Sequence, residues 1–103
     1  MSDIRAIIKR PGKKTGYNVV IENSLEMLQG LVGGYIEAVT MQVKGKPVAI
    51  ICNEEGRLRG LPYNCSINGV DFVGAIVIVG VDGEEFADVP PIDDIRDSLG
   101  PII

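Results

Sequence analysis

The chain has 103 residues, of which 46% are hydrophobic, and a formal net charge of −4. This length fits a single domain over residues 1–103 with one hydrophobic core. The longest apolar run, from Val73 to Val81, is broken by two glycines, and a membrane-spanning helix needs about 20 apolar residues. We therefore expect no membrane partner. Because no apolar secretion signal follows the first residues, we expect a cytoplasmic protein.

The charges are unevenly distributed along the chain. Nine of the ten Lys and Arg residues precede position 60, and seven of the 14 acidic residues lie between Asp82 and Asp97. The acidic end would repel a long polyanion, so we expect no duplex nucleic acid as a partner. Two interpretations of the basic half stay open, namely a site for a small anion and a solvated surface without a ligand.

The cysteines and the lack of histidine argue against a metal site. Cys52 and Cys65 lie thirteen positions apart and cannot supply a set of four ligands by themselves. A disulfide between them is geometrically allowed but is not expected in a reducing cytoplasm. We therefore predict two free thiols, no metal and no cofactor.

The first third of the sequence predicts two strands and a helix. The strands cover Ile4–Lys9 and Tyr17–Ile21, with a turn between them that contains Pro and Gly. Asn23 or Ser24 supplies an N-cap for the helix, and Gly30 followed by the Gly33-Gly34 pair ends it. Its apolar face comprises Leu25, Leu28, Leu31 and Val32.

The remaining sequence predicts a hairpin, a central strand and a second helix. Alternation over Tyr35–Val43 and the apolar run 47–52 flank the turn Lys44-Gly45-Lys46, which is typical of a β-hairpin. The run Val73–Val79 is apolar throughout and predicts a central strand, and Asp93–Leu99 predicts a C-terminal helix. The fold class is therefore α+β, with a small, mostly antiparallel sheet and one or two short helices.

Two glycine-marked phrases stand out within residues 31–64. The first is Leu31-Val32-Gly33-Gly34-Tyr35-Ile36-Glu37, and the second is Asn53-Glu54-Glu55-Gly56-Arg57-Leu58-Arg59-Gly60-Leu61-Pro62-Tyr63-Asn64. Glycines at such positions allow unusual backbone conformations. Their amides either bind an anion or only turn the chain.

No catalytic group is evident in the sequence. Without histidine, a Ser or Cys nucleophile would need a Lys base, and no spacing suggests one. Glu37 lies in an apolar strand and is a candidate for a buried base, although a position on a sheet edge is the simpler interpretation. Glu54 and Glu55 are adjacent, so they point apart and form a poor acid/base pair. We therefore predict no catalytic residues and a protein that is not an enzyme.

The second phrase contains the candidate ligand-binding residues. Arginine pairs with phosphate through two parallel hydrogen bonds, and tyrosine can stack on a nucleobase. The candidate site comprises Asn53, Arg57, Arg59, Tyr63 and Asn64. The alternative interpretation is that the two arginines form a solvated face, while Leu58, Leu61 and Pro62 fill the core.

Three phrases together resemble an uncharacterised family, domain of unknown function 3846. They are the two phrases above and Val79-Gly80-Val81-Asp82-Gly83-Glu84-Glu85-Phe86, which cover most of residues 25–90. Members are short and occur mainly in bacteriophages, plasmids and Gram-positive hosts, so the resemblance implies an accessory protein of a mobile element. It brings no catalytic residues. Members often carry a basic residue after the final Asn, where this chain has Cys65.

The residues and the resemblance together suggest a binding function. The first hypothesis is a non-enzymatic sponge that sequesters a small phosphate-bearing ligand, such as a cyclic nucleotide immune signal. The alternative is a protein-interaction module that inhibits a host protein through the acidic region from Asp82 to Asp97. Self-association into a homo-oligomer is expected because small sheets with open edges readily pair.

Overall fold

The computed structural model describes residues 2–100 and 103 and has the predicted α+β fold. Its strands are β1 (Asp3–Lys9), β2 (Tyr17–Glu22), β3 (Ile36–Val43), β4 (Lys46–Asn53), β5 (Tyr63–Ile67), β6 (Val70–Val73), β7 (Ile76–Asp82) and β8 (Glu85–Ala87). Its helices are α1 (Leu25–Val32) and α2 (Ile92–Leu99). Within the described part of the chain, neither helix is long and apolar enough to cross a membrane.

The strands form one main sheet and a separate hairpin. The main sheet has the order β2-β1-β7-β4-β3, with β8 paired to the end of β7, and all of these pairs are antiparallel. Strands β5 and β6 pair only with each other. As a result, β7 lies in the middle of the sheet, and β2 and β3 are its outer strands.

Strand β7 is buried on both faces, which explains its nearly continuous apolar sequence. Ile76 and Ile78 pack on one face beneath α2 and the β5–β6 hairpin. Val77 and Val79 pack on the other face with Leu28 and Val32 of α1. All four β7 side chains are fully buried, and burying one such side chain contributes about 1.5–3 kcal/mol.

The helix prediction is confirmed in its cap at Ser24 and in its end at Gly33, but α1 continues through Gly30 and does not bury the whole of its predicted apolar face. The Ser24 hydroxyl accepts a hydrogen bond from the Met27 amide at 3.2 Å and caps α1, and Gly33 adopts the left-handed conformation at the other end. Leu28 and Val32 are buried, whereas Leu25 is 58% exposed. Helix α1 rests on the sheet through its later turns, so the first turn that contains Leu25 extends past the apolar surface.

The predicted strand from Val73 to Val79 is wrong at its start. Val73 ends β6, Gly74 turns the chain with a φ of +72°, and β7 begins only at Ile76. The β5–β6 hairpin before it was not predicted, although its turn, Asn68-Gly69, is a strong hairpin signal. Both residues have positive φ, as a type I′ turn requires.

A buried lysine and asparagine join three parts of the fold. Lys9 at the end of β1 is 3% exposed, and its Nζ donates to the side-chain Oδ1 of Asn64 and to the Lys13 carbonyl, both at 3.0 Å. The Asn64 Nδ2 donates to the Lys9 carbonyl at 2.9 Å and to the Gly74 carbonyl at 2.8 Å. Asn64 therefore connects β1, β5 and the turn before β7.

We expect Asn64→Ala to destabilise the fold by about 3 kcal/mol. The substitution removes one acceptor from the buried Lys9 ammonium and the donor from two carbonyls, and each unsatisfied buried group costs about 1–3 kcal/mol. Urea denaturation measures the loss. Asn18→Ala, at an exposed position of β2, is the matched control and should change stability by less than about 0.5 kcal/mol.

The double substitution Lys9→Met with Asn64→Leu tests how much of the loss is caused by the buried charge of Lys9. It removes the ammonium that has lost its Asn64 acceptor, so the double variant should be more stable than Asn64→Ala. Equal stability of Asn64→Ala and the wild-type protein would show that the Lys9–Asn64 contact does not hold the fold together.

Candidate functional site

The two glycine-marked phrases meet at one end of the main sheet. The loop from Glu54 to Pro62 leaves β4 there and leads to β5, and α1 ends at the same place. The Tyr35 carbonyl accepts the Glu54 amide at 2.8 Å, which joins the residue before β3 to the first residue of the loop. The candidate residues of the sequence therefore surround this end of the sheet.

The glycines of both phrases turn the chain and do not present free amides to an anion. Gly33 and Gly34 both donate to the Gln29 carbonyl, at 2.8 and 3.1 Å, and close the end of α1. In the loop, the amides of Glu54, Glu55, Gly56, Arg59, Gly60 and Leu61 all have protein acceptors. The amides of these glycines are therefore not available to an anion.

Asn53 is an internal connector rather than a surface group. It is 6% exposed, its Nδ2 donates to the Val32 carbonyl at 3.1 Å, and its Oδ1 accepts the Glu55 amide at 2.8 Å. A Cβ on Gly34 would lie 3.0 Å from the Asn53 Nδ2, so the glycine makes room for this amide. Asn53 thus holds the end of α1 against the start of the loop.

The structure separates the five candidate residues into three groups. Asn53 and Asn64 are buried and bonded within the protein, Arg57 and Tyr63 lie on the side of the β5–β6 hairpin, and Arg59 lies on the side of α1. The two arginines therefore do not converge on one ligand position.

Arg57 lines a cleft of about 200 Å³ in which acidic groups outnumber it. Its Nη2 donates to the Asp71 carbonyl at 2.9 Å. Glu37, Glu54 and Asp71 line the same cleft, together with Leu58, and the Asp71 carboxylate also contacts the Ser66 hydroxyl. With three acidic residues and one arginine in its lining, this cleft is unfavourable for an anion.

Arg59 lines a shallow cavity of about 300 Å³ with Tyr35, Gln29 and Gly34. Tyr35 is 66% exposed, so one face of its ring is available for stacking. The Arg59 Nη2 lies 3.5 Å from a Glu55 carboxylate oxygen, in an exposed pair. Such pairs are weak, so a phosphate can replace Glu55 as the partner of the guanidinium.

Tyr63 is tied to the outer side of the hairpin. Its hydroxyl and the Ser66 Oγ are 2.6 Å apart, and the Ser66 hydroxyl is also in contact with the Asp71 carboxylate. The ring is 58% exposed. Because the Tyr63 hydroxyl has a partner on the hairpin, this residue belongs to the side of the cleft and not to the Tyr35–Arg59 cavity.

This end of the molecule also gathers the basic and aromatic residues. The three tyrosines, Tyr17, Tyr35 and Tyr63, all lie at or beside strand ends here, and each is at least 49% exposed. The segments that meet here carry the cations Lys9, Arg10, Lys13, Lys14, Arg57 and Arg59 and the acids Glu37, Glu54, Glu55 and Asp71. The other acidic residues belong to the remaining segments, so the molecule has a basic and an acidic part.

Glu37 and the two cysteines lie in different environments. Glu37 is exposed on the outer strand β3, as the simpler interpretation predicted. Burial and the nearby Glu37 carboxylate raise the pKa of the Cys52 thiol, and burial raises the pKa of Cys65 against a weaker opposite effect of Lys9. Both cysteines are free thiols. A raised pKa makes a thiol a weaker nucleophile at neutral pH.

Sequence reasoning missed Tyr35 and Gln29 and misjudged Leu58. Tyr35 and Gln29 are separated from Arg59 by 24 residues or more, and only the folded chain brings them to one cavity. Leu58 does not fill the core, because it is 88% exposed. Cys65 is buried in the core, so the departure from the family pattern at that position removes no surface contact.

One comparison with known proteins gives a match. A family model described as Domain of unknown function (DUF3846) matches residues 4–100, which is nearly the whole chain. No protein with a curated description and no solved structure matches the chain.

We expect substitutions at Asn53 to reveal a structural role. Asn53→Asp keeps the acceptor for the Glu55 amide but places a carboxylate against the Val32 carbonyl, so it should lower the free energy of unfolding by about 2 kcal/mol. Thermal or urea denaturation measures the loss. Glu54→Gln, the neighbouring exposed residue, is the control. Unchanged stability of Asn53→Asp would show that the Asn53 side chain does not hold the end of α1 against the loop.

Proposed function

The chain belongs to the family described as Domain of unknown function (DUF3846), and we propose that it is a non-enzymatic accessory protein that binds and sequesters a small phosphate-bearing ligand. A nucleotide or cyclic nucleotide fits the proposed chemistry. The observation that carries the proposal is the cavity that the exposed Tyr35 and Arg59 line together.

Each wall of this cavity supplies one element of nucleotide recognition. The Tyr35 ring offers a face on which a base stacks, and Arg59 offers paired donors to phosphate oxygens. Gln29 lines the same cavity, and its side chain carries both a donor and an acceptor for a base edge. The neighbouring cationic side chains of this end attract an anion from solution.

The expected affinity follows from these contacts. A hydrogen bond to a charged group contributes about 1.5–3 kcal/mol, and stacking of a base on an aromatic ring contributes about 1–3 kcal/mol. The combined contribution of about 2.5–6 kcal/mol corresponds to dissociation constants on the order of ten millimolar to tens of micromolar.

The family and the ligand chemistry suggest the biological setting. We place the protein in the cytoplasm of a bacterial host, encoded by a bacteriophage, where it withdraws a cyclic nucleotide immune signal as an anti-defence sponge. Self-association remains a prediction, and the outer strands β2 and β3 are the edges through which copies of the chain would pair.

A thermal-shift screen with nucleotides and cyclic nucleotides at millimolar concentration tests the proposal. Ligand at 100 times its dissociation constant stabilises the folded state by about 2.7 kcal/mol, which raises the Tm of a domain of this size by about 10 °C. Arg59→Gln and Tyr35→Ala should each abolish most of the shift. The absence of a shift with every nucleotide would contradict the proposal.

Two further arginine variants locate the site. Arg57→Gln should keep the shift, because Arg57 faces the acidic cleft on the other side of the loop. Loss of the shift in Arg57→Gln but not in Arg59→Gln would move the ligand to the cleft. Arg5→Gln, at an exposed position of β1, controls for the general loss of one positive charge.

Glu55→Gln should increase the affinity for a phosphate-bearing ligand by about threefold. The substitution removes the carboxylate that competes with phosphate for Arg59 at 3.5 Å, and an exposed ion pair contributes about 0.2–1 kcal/mol. Isothermal titration calorimetry of wild-type and variant proteins measures the change. A weaker affinity in Glu55→Gln would show that Glu55 helps to form the site.

A protein-interaction module is the second candidate function, and one surface favours it. Asp82, Glu84 and Glu85 form the exposed turn between β7 and β8, and none of them has an ion-pair partner among residues 2–100. In contrast, Asp94 and Asp97 contact Lys44 at 2.9 and 3.4 Å, and Asp88 contacts Arg5. The β7–β8 turn therefore offers a group of three exposed carboxylates that have no ion-pair partner among the described residues.

Neutralising this turn tests the second candidate. The variant with Asp82→Asn, Glu84→Gln and Glu85→Gln should lose a host protein that the wild-type chain captures at low salt and releases at high salt. The single variant Asp93→Asn is the control at another exposed carboxylate. Equal capture by all three proteins would argue against this surface.

A further inference from the structure

The outer strand β3 exposes one side of its backbone. Its hairpin with β4 closes through the two-residue turn Lys44-Gly45, both with positive φ, and the register runs without interruption from Ile36↔Asn53 to Val43↔Lys46. In such a hairpin the residues that flank the turn exchange both hydrogen bonds, and bonded pairs recur at every second residue. The N–H and C=O groups of Ala38, Thr40 and Gln42 therefore point away from β4, toward solvent.

This edge lacks the features that usually protect an outer strand. Proteins blunt exposed edges with Pro, Lys, bulges or very short strands. Strand β3 has eight residues, no proline, no bulge and a single charged residue, Glu37. An edge of this kind is able to accept another strand.

The acidic cleft adjoins the same strand. Glu37 and Val39 of β3 form one wall of the cleft, and Val70, Asp71 and Val73 of β6 form the opposite wall. Leu58 at the loop end is 88% exposed, and Val70 is 36% exposed. A side chain that projects from a strand added to β3 would therefore contact the apolar residues Leu58 and Val70 at the rim of the cleft and the acidic residues inside it.

The charge of the cleft selects the kind of side chain. Glu37, Glu54 and Asp71 line the cleft with a single cation, Arg57, whose guanidinium already donates to the Asp71 carbonyl. The remaining negative charge complements a Lys or Arg side chain, and the exposed Leu58 complements an apolar neighbour.

We infer that the β3 edge and this cleft form a docking surface for an extended segment of another protein. The segment adds to the sheet as a strand, through the outward backbone groups of Ala38, Thr40 and Gln42. It places a basic side chain near Glu37 and Asp71 and an apolar side chain against Leu58. This surface shares no lining residue with the Tyr35–Arg59 cavity, so it is independent of the proposed nucleotide site.

A labelled peptide tests the backbone contacts without altering the protein. The probe is a short fluorescein-labelled peptide in which Val and Lys alternate with Thr, and fluorescence anisotropy measures its binding. Two N-methylated forms carry the methyl groups on alternate sets of residues, so that only one form blocks the amides that face β3. We expect one form to bind at least about tenfold more weakly, since it loses two or more hydrogen bonds, and the other to bind like the parent. Equal binding of all three peptides overturns the proposal.

Protein variants test the charges and the edge. Glu37→Gln and Asp71→Asn should each weaken binding by about threefold and reduce its salt dependence. Glu22→Gln is the matched control, because Glu22 is an exposed glutamate on the opposite outer strand, β2. Thr40→Pro should abolish binding without unfolding the protein, because the Thr40 amide has no partner in β4. Unchanged binding in Thr40→Pro, or in both charge variants, contradicts the docking surface.

Sedimentation distinguishes a partner segment from a second copy of this chain. If the wild-type protein forms a dimer that Thr40→Pro separates into monomers, then another copy occupies β3 and the inferred partner is wrong. A monomer, or a dimer that Thr40→Pro leaves intact, together with peptide binding, supports the inference.

Discussion

The central constraint of this fold is that β7 is apolar on both faces, so both faces of the sheet need a cover. Helix α1 covers one face, and the β5–β6 hairpin with α2 covers the other. The loop from Glu54 to Pro62 has to pass from the end of the sheet to the hairpin. It therefore lies between the two layers and presents Arg57 to the hairpin side and Arg59 to the α1 side. The division of the molecule's basic end into two surfaces follows from the need to bury β7.

Two buried asparagines fix this loop at its ends. Asn53 joins the first residues of the loop to the end of α1, and Asn64 joins the strand that follows the loop to β1 and Gly74. Side-chain amides suit this role because each carries both donors and an acceptor and therefore satisfies several backbone groups at once. The same amides, if exposed, would bind a ligand. Burial decides between these uses, and burial depends on residues that are distant in the sequence.

The two surfaces differ in the kind of partner that they favour. On the α1 side, an exposed aromatic ring and a weakly paired arginine favour a small anion with a base. On the hairpin side, carboxylates, an exposed leucine and an open strand edge favour an extended basic segment. A protein that bound both would hold a nucleotide and a polypeptide on opposite sides of one loop, only a few residues apart.

The sequence by itself determined the fold class, the cap of α1 at Ser24, the Gly33 helix end and the β3–β4 hairpin, because these depend on neighbouring residues. It also contained the Asn68-Gly69 turn of the hairpin that was not predicted. It could not assign Val73, which continues an apolar run and yet belongs to a different sheet from Ile76, since both sheets bury apolar residues in one core. Nor could the sequence show that Arg57 and Arg59, which are two positions apart, lie on different surfaces. Only the tertiary structure decided their surroundings, because the residues around the two arginines come from α1, β3 and β6. A local sequence pattern does not indicate which of these elements packs on which side of the loop.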